Sequence, residues 1–350
     1  MKFHANNTGE TGVSGAGKVG PGFVRRLVER ENAGIVIFLI CLFVLCAATS
    51  RTFLRPRNVY TVLRQVSVLG ICSFGAAVVL LIGGIDLSIG SCAAFSGVVT
   101  AYFIQRVGVP IPLSAVLGVL AGGVVGLVNG TIVAAMGIPA IVTTIGTMTL
   151  FRGLAYVLCG SGEAASYGII DLPQQFKWMG GGSIGILPIG ILFTVAVFII
   201  LALVVNRMPF GRYVYAIGSN EESAIVSGIR VGSVKALVFV ISGMCAGLGG
   251  VLLASRMNSG QPTAATGLEI DVLTAVVLGG VSTVGGKGKL TGVVVGVLII
   301  GLLQNWLILM NVAYYYQLVI KGCVLIAAVL LDLLRLERSL YERDILIKAA

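Results

Sequence analysis

Residues able to do chemistry are few and scattered on this chain. Its one histidine, His4, sits in a glycine-rich stretch, and its seven cysteines (41, 46, 72, 92, 159, 245 and 323) lie in or beside apolar runs. No CxxC spacing and no neighbouring histidine accompany them, so disulfide and metal readings are poor, and the thiols read as small hydrophobes. Gly12 to Lys18, GVSGAGK, matches the first seven positions of a phosphate-binding loop. Val19 stands where Ser or Thr should hold magnesium, and no strand precedes the run, so the match is read as chance. There is no HExxH and no nucleophile elbow, and the chain is not expected to be an enzyme. Three charges remain isolated in apolar surroundings: Asp86 in GGIDLSIGS, Arg152 and Lys321. A charge buried in a membrane span is costly and usually has a partner or a wet cavity. Asp86, between glycines, is open to two roles, a helix cap shared with Ser88 or a contact with substrate. Lys321 is placed to snorkel.

The elements that must position these residues are membrane helices. Of 350 residues, 57% are hydrophobic and 11% charged, with a mean hydropathy of +1.02, too apolar for a soluble surface. The expected fold is all-α and polytopic, with about ten spans of roughly 20 residues. They fall near 34–50, 60–83, 90–105, 113–136, 141–159, 188–205, 236–255, 270–284, 290–310 and 315–334. With both termini cytoplasmic, fifteen of the 24 Lys and Arg lie on the inside, against Arg51, Arg55 and Arg57 outside. The formal net charge of +10 therefore speaks to orientation and not to nucleic acid. Residues 1–33 form a polar tail expected to be disordered, 34–334 the membrane domain and 335–350 a cytoplasmic tail. The largest outside loop, 160–187, carries Tyr167 and Trp178 for the interface. Gly118, Gly122, Gly126 and Gly130, with Gly243/Gly247 and Gly292/Gly296, recur every four residues, the spacing of tight helix packing.

The longest polar stretch between apolar blocks lies within 207–235. Ser219 and Glu222 have capping-box spacing, Glu221 and Glu222 suit a helix start, and Gly228 suits a left-handed end. A helix this short is not stable alone, so the stretch is either an ordinary interhelical loop or a helix that docks on something. Asp86 alone qualifies as an intramembrane carboxylate, which argues against an ion-coupled carrier, and no channel filter stands out. Energy for transport then comes from elsewhere.

The runs GGIDLSIGS (83–91), GIPAIVTTIGTMTLFRGLAYVL (137–158), AIGSNEESAIVSGIRV (216–231) and GLEIDVLTAVVLGGVSTVGGKGKLTGVVVGVLI (267–299) resemble the sugar-type permease subunits of bacterial ABC importers, the ribose branch above all. The likeness covers nearly all of 34–334. It implies an inner-membrane permease that works as a pair (homodimer or close paralogue), with cytoplasmic ATP-binding subunits and a periplasmic sugar-binding protein. ATP and magnesium belong to the partner subunit, and the permease itself needs no cofactor. The loop similar to the family's coupling helix brings Gly218, Ser219, Asn220, Glu221, Glu222, Ala224, Ile225, Ser227 and Gly228 to the ATPase, with Ala224 and Ile225 presented to its groove. Asp86, Ser88, Thr143, Thr144, Thr147 and Asn305 are candidates for the sugar pathway, although hydroxyls bonded to their own helix are as common. Permeases for branched-chain amino acids or nucleosides share this helical plan and are the alternative, followed by an ion-coupled transporter acting alone.

Overall fold

The computed structural model describes residues 33–160, 167–185 and 187–349. The N-terminal tail, with His4 and the Gly12–Lys18 match, lies outside them. The described residues are all-α apart from one short hairpin and one isolated bridge. In order it forms α1 (Ala33–Thr49), α2 (Pro56–Leu81), α3 (Ile89–Tyr102, continued by a π-turn Phe103–Val107), α4 (Ile111–Ala135) and α5 (Ala140–Cys159). Then follow α6 (Gln174–Gly181), β1 (Ser183–Ile184) paired antiparallel with β2 (Leu187–Pro188), α7 (Ile189–Arg207), α8 (Pro209–Ser219) and α9 (Glu221–Val226). α10 (Val231–Met257), α11 (Leu268–Leu278), α12 (Leu290–Leu309) and α13 (Tyr314–Ala349) complete it. Proline opens six of these thirteen helices: Pro56 and Pro209 sit in the first turn, and Pro110, Pro139, Pro173 and Pro188 stand just before it, where a missing N–H costs nothing.

This is a multi-pass membrane protein. Among the described residues seven helices are long and apolar enough to cross a membrane: α2, α4, α5, α7, α10, α12 and Tyr314–Leu333 of α13. The other three expected spans fall on shorter helices, α1 with 17 residues, α3 with 14 and α11 with 11. α13 runs on as one helix through the stretch expected to be a tail.

α10 is the axis, packed along α4, α3 and α2. The glycine rows make this approach possible. A Cβ on Gly122 would lie 2.7 Å from Gly247 Cα, and one on Gly130 would lie 2.7 Å from Ala236 Cα. Gly279 meets Val293 Cα at 2.7 Å in the same way, between α11 and α12. From Val66 to Leu81 every residue of α2 is buried, so this helix is apolar all round. The far end is closed by α6, whose Gly180 N–H donates to Ser255 Oγ (2.7 Å), which itself donates to Phe176 O (2.5 Å).

Two breaks interrupt the helices where they are most buried. α2 ends in a Schellman turn: Gly84 N–H donates to Val79 O (3.0 Å) and Gly83 N–H to Leu80 O (2.9 Å). Gly83 takes φ 77°, open to glycine at no steric cost, and the chain runs without helix to Ser88. The second break, Asn258–Gly267, joins α10 to α11 and pairs Gly260 with Ile169.

Candidate functional site

The polar stretch folds as two helices, not one. α8 buries Val214 and Ile217, which keeps its last turn helical through Ser219. The break comes one residue later than the capping box requires. Asn220 is extended (φ −162°, ψ 108°) and its Oδ1 accepts from Ser223 N–H at 2.8 Å. Asn caps as well as Ser, so the cap is real but belongs to Asn220, and Ser219 with Glu222 does not form it. Glu221 instead pairs with Lys235 at 2.7 Å, tying α9 to the start of α10. The C-terminal end is as expected: Gly228 has φ 81°, with Ile229 N–H on Ala224 O (3.1 Å) and Gly228 N–H on Ile225 O (2.9 Å). Ser227 Oγ donates back to Ser223 O at 2.8 Å. The outward face also differs from expectation. Ala224 is buried, because α9 leans on α8 and α10, while Ile225 is 57% and Val226 89% exposed. The exposed apolar pair is therefore Ile225 with Val226.

Behind this helix three backbone segments meet with no side chain between them. A Cβ on Gly218 would lie 2.5 Å from Gly286 N and against Leu81 O. Gly286 N–H donates to Leu81 O (2.9 Å), and Ser219 packs on Gly286. Tyr215 Oη donates to Gly288 O at 2.8 Å. Burial pushes that hydroxyl's pKa up, with Lys289 pulling the other way, and it stays a donor. So α8, the 282–288 turn and the end of α2 form one contact, two residues from the break at Gly83.

Inside the break lies a buried chain of hydrogen bonds. Asp86 Oδ1 accepts from Ser88 N–H (3.0 Å) and Ser88 Oγ (2.6 Å), and Oδ2 accepts from Ser242 Oγ (2.8 Å) on α10. Ser88 Oγ accepts from Asn129 Nδ2 (2.8 Å), and Asn129 Oδ1 from Thr147 Oγ1 (2.6 Å). Thr144 Oγ1 donates to Ile85 O at 3.2 Å. Asp86 thus holds the turn before α3 and locks it to α10, whereas Ser88 caps through no side-chain bond to the helix. Thr143, Thr144 and Thr147 are buried on the inner face of α5. Asn305 is buried too, in a reciprocal amide pair with Asn58 (2.9 and 3.0 Å) that joins α12 to α2.

Sequence reasoning missed several partners. Asn129 stands beside the glycine row of α4 and is buried on its packed face, as Ser114 is, a signal that was there to read. Asp271 falls within an expected span, so Asp86 is not the lone intramembrane carboxylate. Lys321 does not snorkel: it pairs with Asp271 at 2.9 Å, because the partner lies within reach on α11. Two cysteines expected to be buried, Cys41 and Cys323, are exposed. Arg152 Nη1 donates to Pro262 O (2.6 Å) and Ala264 O (2.7 Å) across the second break. Among the described residues no group of His, Cys, Asp and Glu is placed to hold a metal.

Comparison with known proteins agrees with this architecture. The family described as "Branched-chain amino acid transport system / permease component" matches residues 58–329. The ribose import permease protein RbsC of Bacillus subtilis (strain 168) is 40% identical over 306 residues, covering 86% of this chain and 92% of the relative. The L-arabinose ABC transporter permease protein AraH of Azospirillum brasilense is 39% identical over 311 residues, 89% of both chains. RbsC of Escherichia coli (strain K12) is 38% identical over 309 residues, 87% of this chain and 94% of the relative. No solved structure matches. A match of this extent to one family and to permeases over nearly their whole length settles the kinship: the chain belongs to the branched-chain amino acid transport system / permease component family.

Proposed function

We propose that this chain is the permease subunit of an ATP-driven ABC importer, forming the pathway for a monosaccharide of the ribose type delivered by a periplasmic binding protein. The chain crosses the bacterial inner membrane ten times with both termini cytoplasmic, α1, α3 and α11 supplying the three crossings that length alone does not. Arg207, Arg212, Arg230, Lys235, Lys287 and Lys289 cluster at the end that holds α8, α9 and the 282–288 turn, which supports a cytoplasmic placement. The protein works with a second copy or a close paralogue and with ATPase subunits that use the ATP and magnesium.

The observation that carries this reading is a rigid, doubly capped helix holding two apolar side chains in solvent, backed by a glycine-packed contact that leads to the break at Gly83. Ile225 and Val226 fill a groove on the ATPase, and movement of α9 reaches the Asp86 network through Gly218 and Gly286. The relatives that import ribose and arabinose support a pentose, while the family description favours testing a branched-chain amino acid beside it.

Burying one Ile is worth roughly 1.5–3 kcal/mol, and a carboxylate in its place adds a desolvation cost of several more. Ile225→Asp is therefore expected to weaken ATPase pull-down by orders of magnitude while membrane insertion is unchanged. Uptake by the complex in proteoliposomes, with ribose, arabinose and leucine compared, reads the substrate. Normal assembly and wild-type uptake by Ile225→Asp would remove α9 from the coupling role.

A further inference from the structure

α13 stands apart from the rest of the bundle. Little of Tyr314–Leu333 is buried in the chain, and its main contact is with α11, whereas α1 packs on α12. Between α1 and α13 lies a cleft of about 430 Å³. Gly34 and Phe38 form one wall, Val324 and Leu331 the other, and Leu278 of α11 and Ile299 of α12 the floor. Val324 and Leu331 are seven residues apart on one helix face, so the cleft runs about 10 Å along α13. Phe38 is 53% and Leu331 50% exposed, so it opens on the outer side of the bundle.

Two polar contacts keep α13 from closing the cleft. Lys321 pairs with Asp271 at 2.9 Å, one turn before Val324. Asp332 Oδ2 accepts from Thr283 N–H and Thr283 Oγ1, both at 2.9 Å, one residue after Leu331. A shift of α13 toward α1 would strain these contacts at both ends. A void lined by apolar side chains loses dispersion contacts if left empty, and without polar partners it does not hold water. Its occupant is therefore apolar.

The surrounding charges say what else the occupant carries. Leu331 lies beside the contact of Asp332 with the 282–288 turn, at the end of the bundle that is cytoplasmic in the topology proposed above. In sequence this mouth is bracketed by Arg25, Arg26 and Arg30 before Gly34, by Lys287 and Lys289, and by Arg335 and Arg338 after Leu331. These are seven cations against Glu29, Glu31, Asp332 and Glu337. Basic residues beside a gap between membrane helices on the cytoplasmic side attract anionic headgroups. The chain's own N-terminal segment is a poor filler, because Glu29, Arg30, Glu31 and Asn32 directly precede α1 and would have to turn back into an apolar cleft. A second copy related by a two-fold axis would set the basic mouth against its twin.

We infer that the cleft between α1 and α13 holds an acyl chain of an anionic phospholipid, with its phosphate at the basic mouth. The lipid fills the contact that α13 does not make with α1. This goes beyond the importer reading and stands whether or not the solute is a sugar.

Two measurements test it. The first uses the full chain with Trp178 and Trp306 replaced by phenylalanine and one tryptophan introduced, as Phe38→Trp in the cleft or Val195→Trp on the exposed face of α7. Each is reconstituted in phosphatidylcholine vesicles with rising fractions of brominated phosphatidylglycerol or brominated phosphatidylcholine, which quench a tryptophan they touch. Phe38→Trp should reach half-quenching at an at least about fivefold lower fraction of the anionic lipid, the weight of one basic residue at a headgroup. Val195→Trp should show no preference. The same preference at both positions, or none at either, leaves only bulk lipid and overturns the proposal. A Phe38→Trp signal that neither lipid quenches means that protein covers the cleft, the N-terminal segment or a second copy, and overturns it too. The second measurement counts phospholipid retained through detergent washing, by native mass spectrometry on the chain with both tryptophans present. Wild type and Ile326→Phe, enlarged on an exposed face away from the cleft, should retain an anionic phospholipid, and Ala327→Phe, which fills the cleft, should lose it. Wild type without retained lipid, or retention unchanged in Ala327→Phe, overturns the site.

Discussion

Two breaks between helices among the described residues, 82–88 and 259–267, pack against the buried core, and they are held in different ways. Along 82–88 the backbone and side-chain groups are taken up by protein: Gly83 and Gly84 by the Schellman turn, Ile85 O by Thr144, Ser88 N–H by Asp86, and Leu81 O by Gly286. Along 259–267 the carbonyls are also taken, Pro262 O and Ala264 O by Arg152, Thr263 O by Thr266 Oγ1, Gly260 O by Ile169 N–H, Gln261 O by Ala264 N–H and Ala265 O by Leu268 N–H, but the side chains of Thr263 and Thr266 are exposed. A break sealed on all sides can act as a rigid joint that moves as a unit. A break whose outer side chains are exposed, as Thr263 and Thr266 are, lacks that lock on its outer face. Damage to the first should appear as lost folded protein, and damage to the second as lost transport by folded protein.

The largest effect follows from removing the acceptor at the centre of the sealed break. Asp86→Leu leaves Ser88 N–H, Ser88 Oγ and Ser242 Oγ without their partner. Each stranded donor costs roughly 1–3 kcal/mol, which together rivals a typical total stability of about 5–15 kcal/mol. The monodisperse peak in detergent size-exclusion chromatography should fall to a small fraction of wild type. A normal peak with abolished uptake would make Asp86 a substrate contact and dissolve the contrast between the breaks.

A smaller effect is expected at the end of the same chain of bonds. Thr147→Val keeps the shape but removes the donor to Asn129 Oδ1, at roughly 1–3 kcal/mol. The unfolding midpoint in detergent should drop, with uptake per folded complex unchanged. Altered uptake at unchanged stability would place Thr147 on the path after all.

How much of this was legible depends on the range of the interaction. Hydropathy runs and proline starts mark the helices because each is written within one segment. Gly228 could be read because a left-handed end needs glycine locally. The N-cap was misassigned by one residue because burial of Val214 and Ile217 against distant helices decides where α8 stops. Asp86 read as a cap was half right: its bond to Ser88 is local, but Ser242 lies 156 residues away, and no spacing rule reaches that far. The pairing of Lys321 with Asp271 was hidden for the same reason, and so was the outward face of α5, since Thr143, Thr144 and Thr147 mark the inner one. The place of 259–267 was not legible because a short polar run bearing Gly260 and Gly267 carries no sign of which helix it will pack on, here α3 through Gly260.

The finest test of the sealed break changes one atom. Asp86→Asn keeps Oδ1 for Ser88 N–H and Ser88 Oγ, and sets an amide Nδ2 against Ser242 Oγ. That hydroxyl now donates to Asp86 Oδ2, but it can accept instead if its proton turns to the carbonyl four residues back on its own helix, a bond serine makes readily. The net loss is then one charge-assisted bond exchanged for a neutral one, about 1 kcal/mol, and most folded protein and most transport should survive. Ser242→Ala supplies the check. Alone it removes the Ser242 donor to Oδ2; combined with Asp86→Asn it removes only the weaker neutral bond, so the double variant should lose less than the sum of the two singles by roughly 0.5–3 kcal/mol, the range of coupling between contacting groups. Unfolding midpoints of the four proteins measure that coupling. Additive losses would mean that the two side chains do not share the bond, and a folded Asp86→Asn complex unable to transport would mean that the carboxylate's charge is used in transport and not only its geometry.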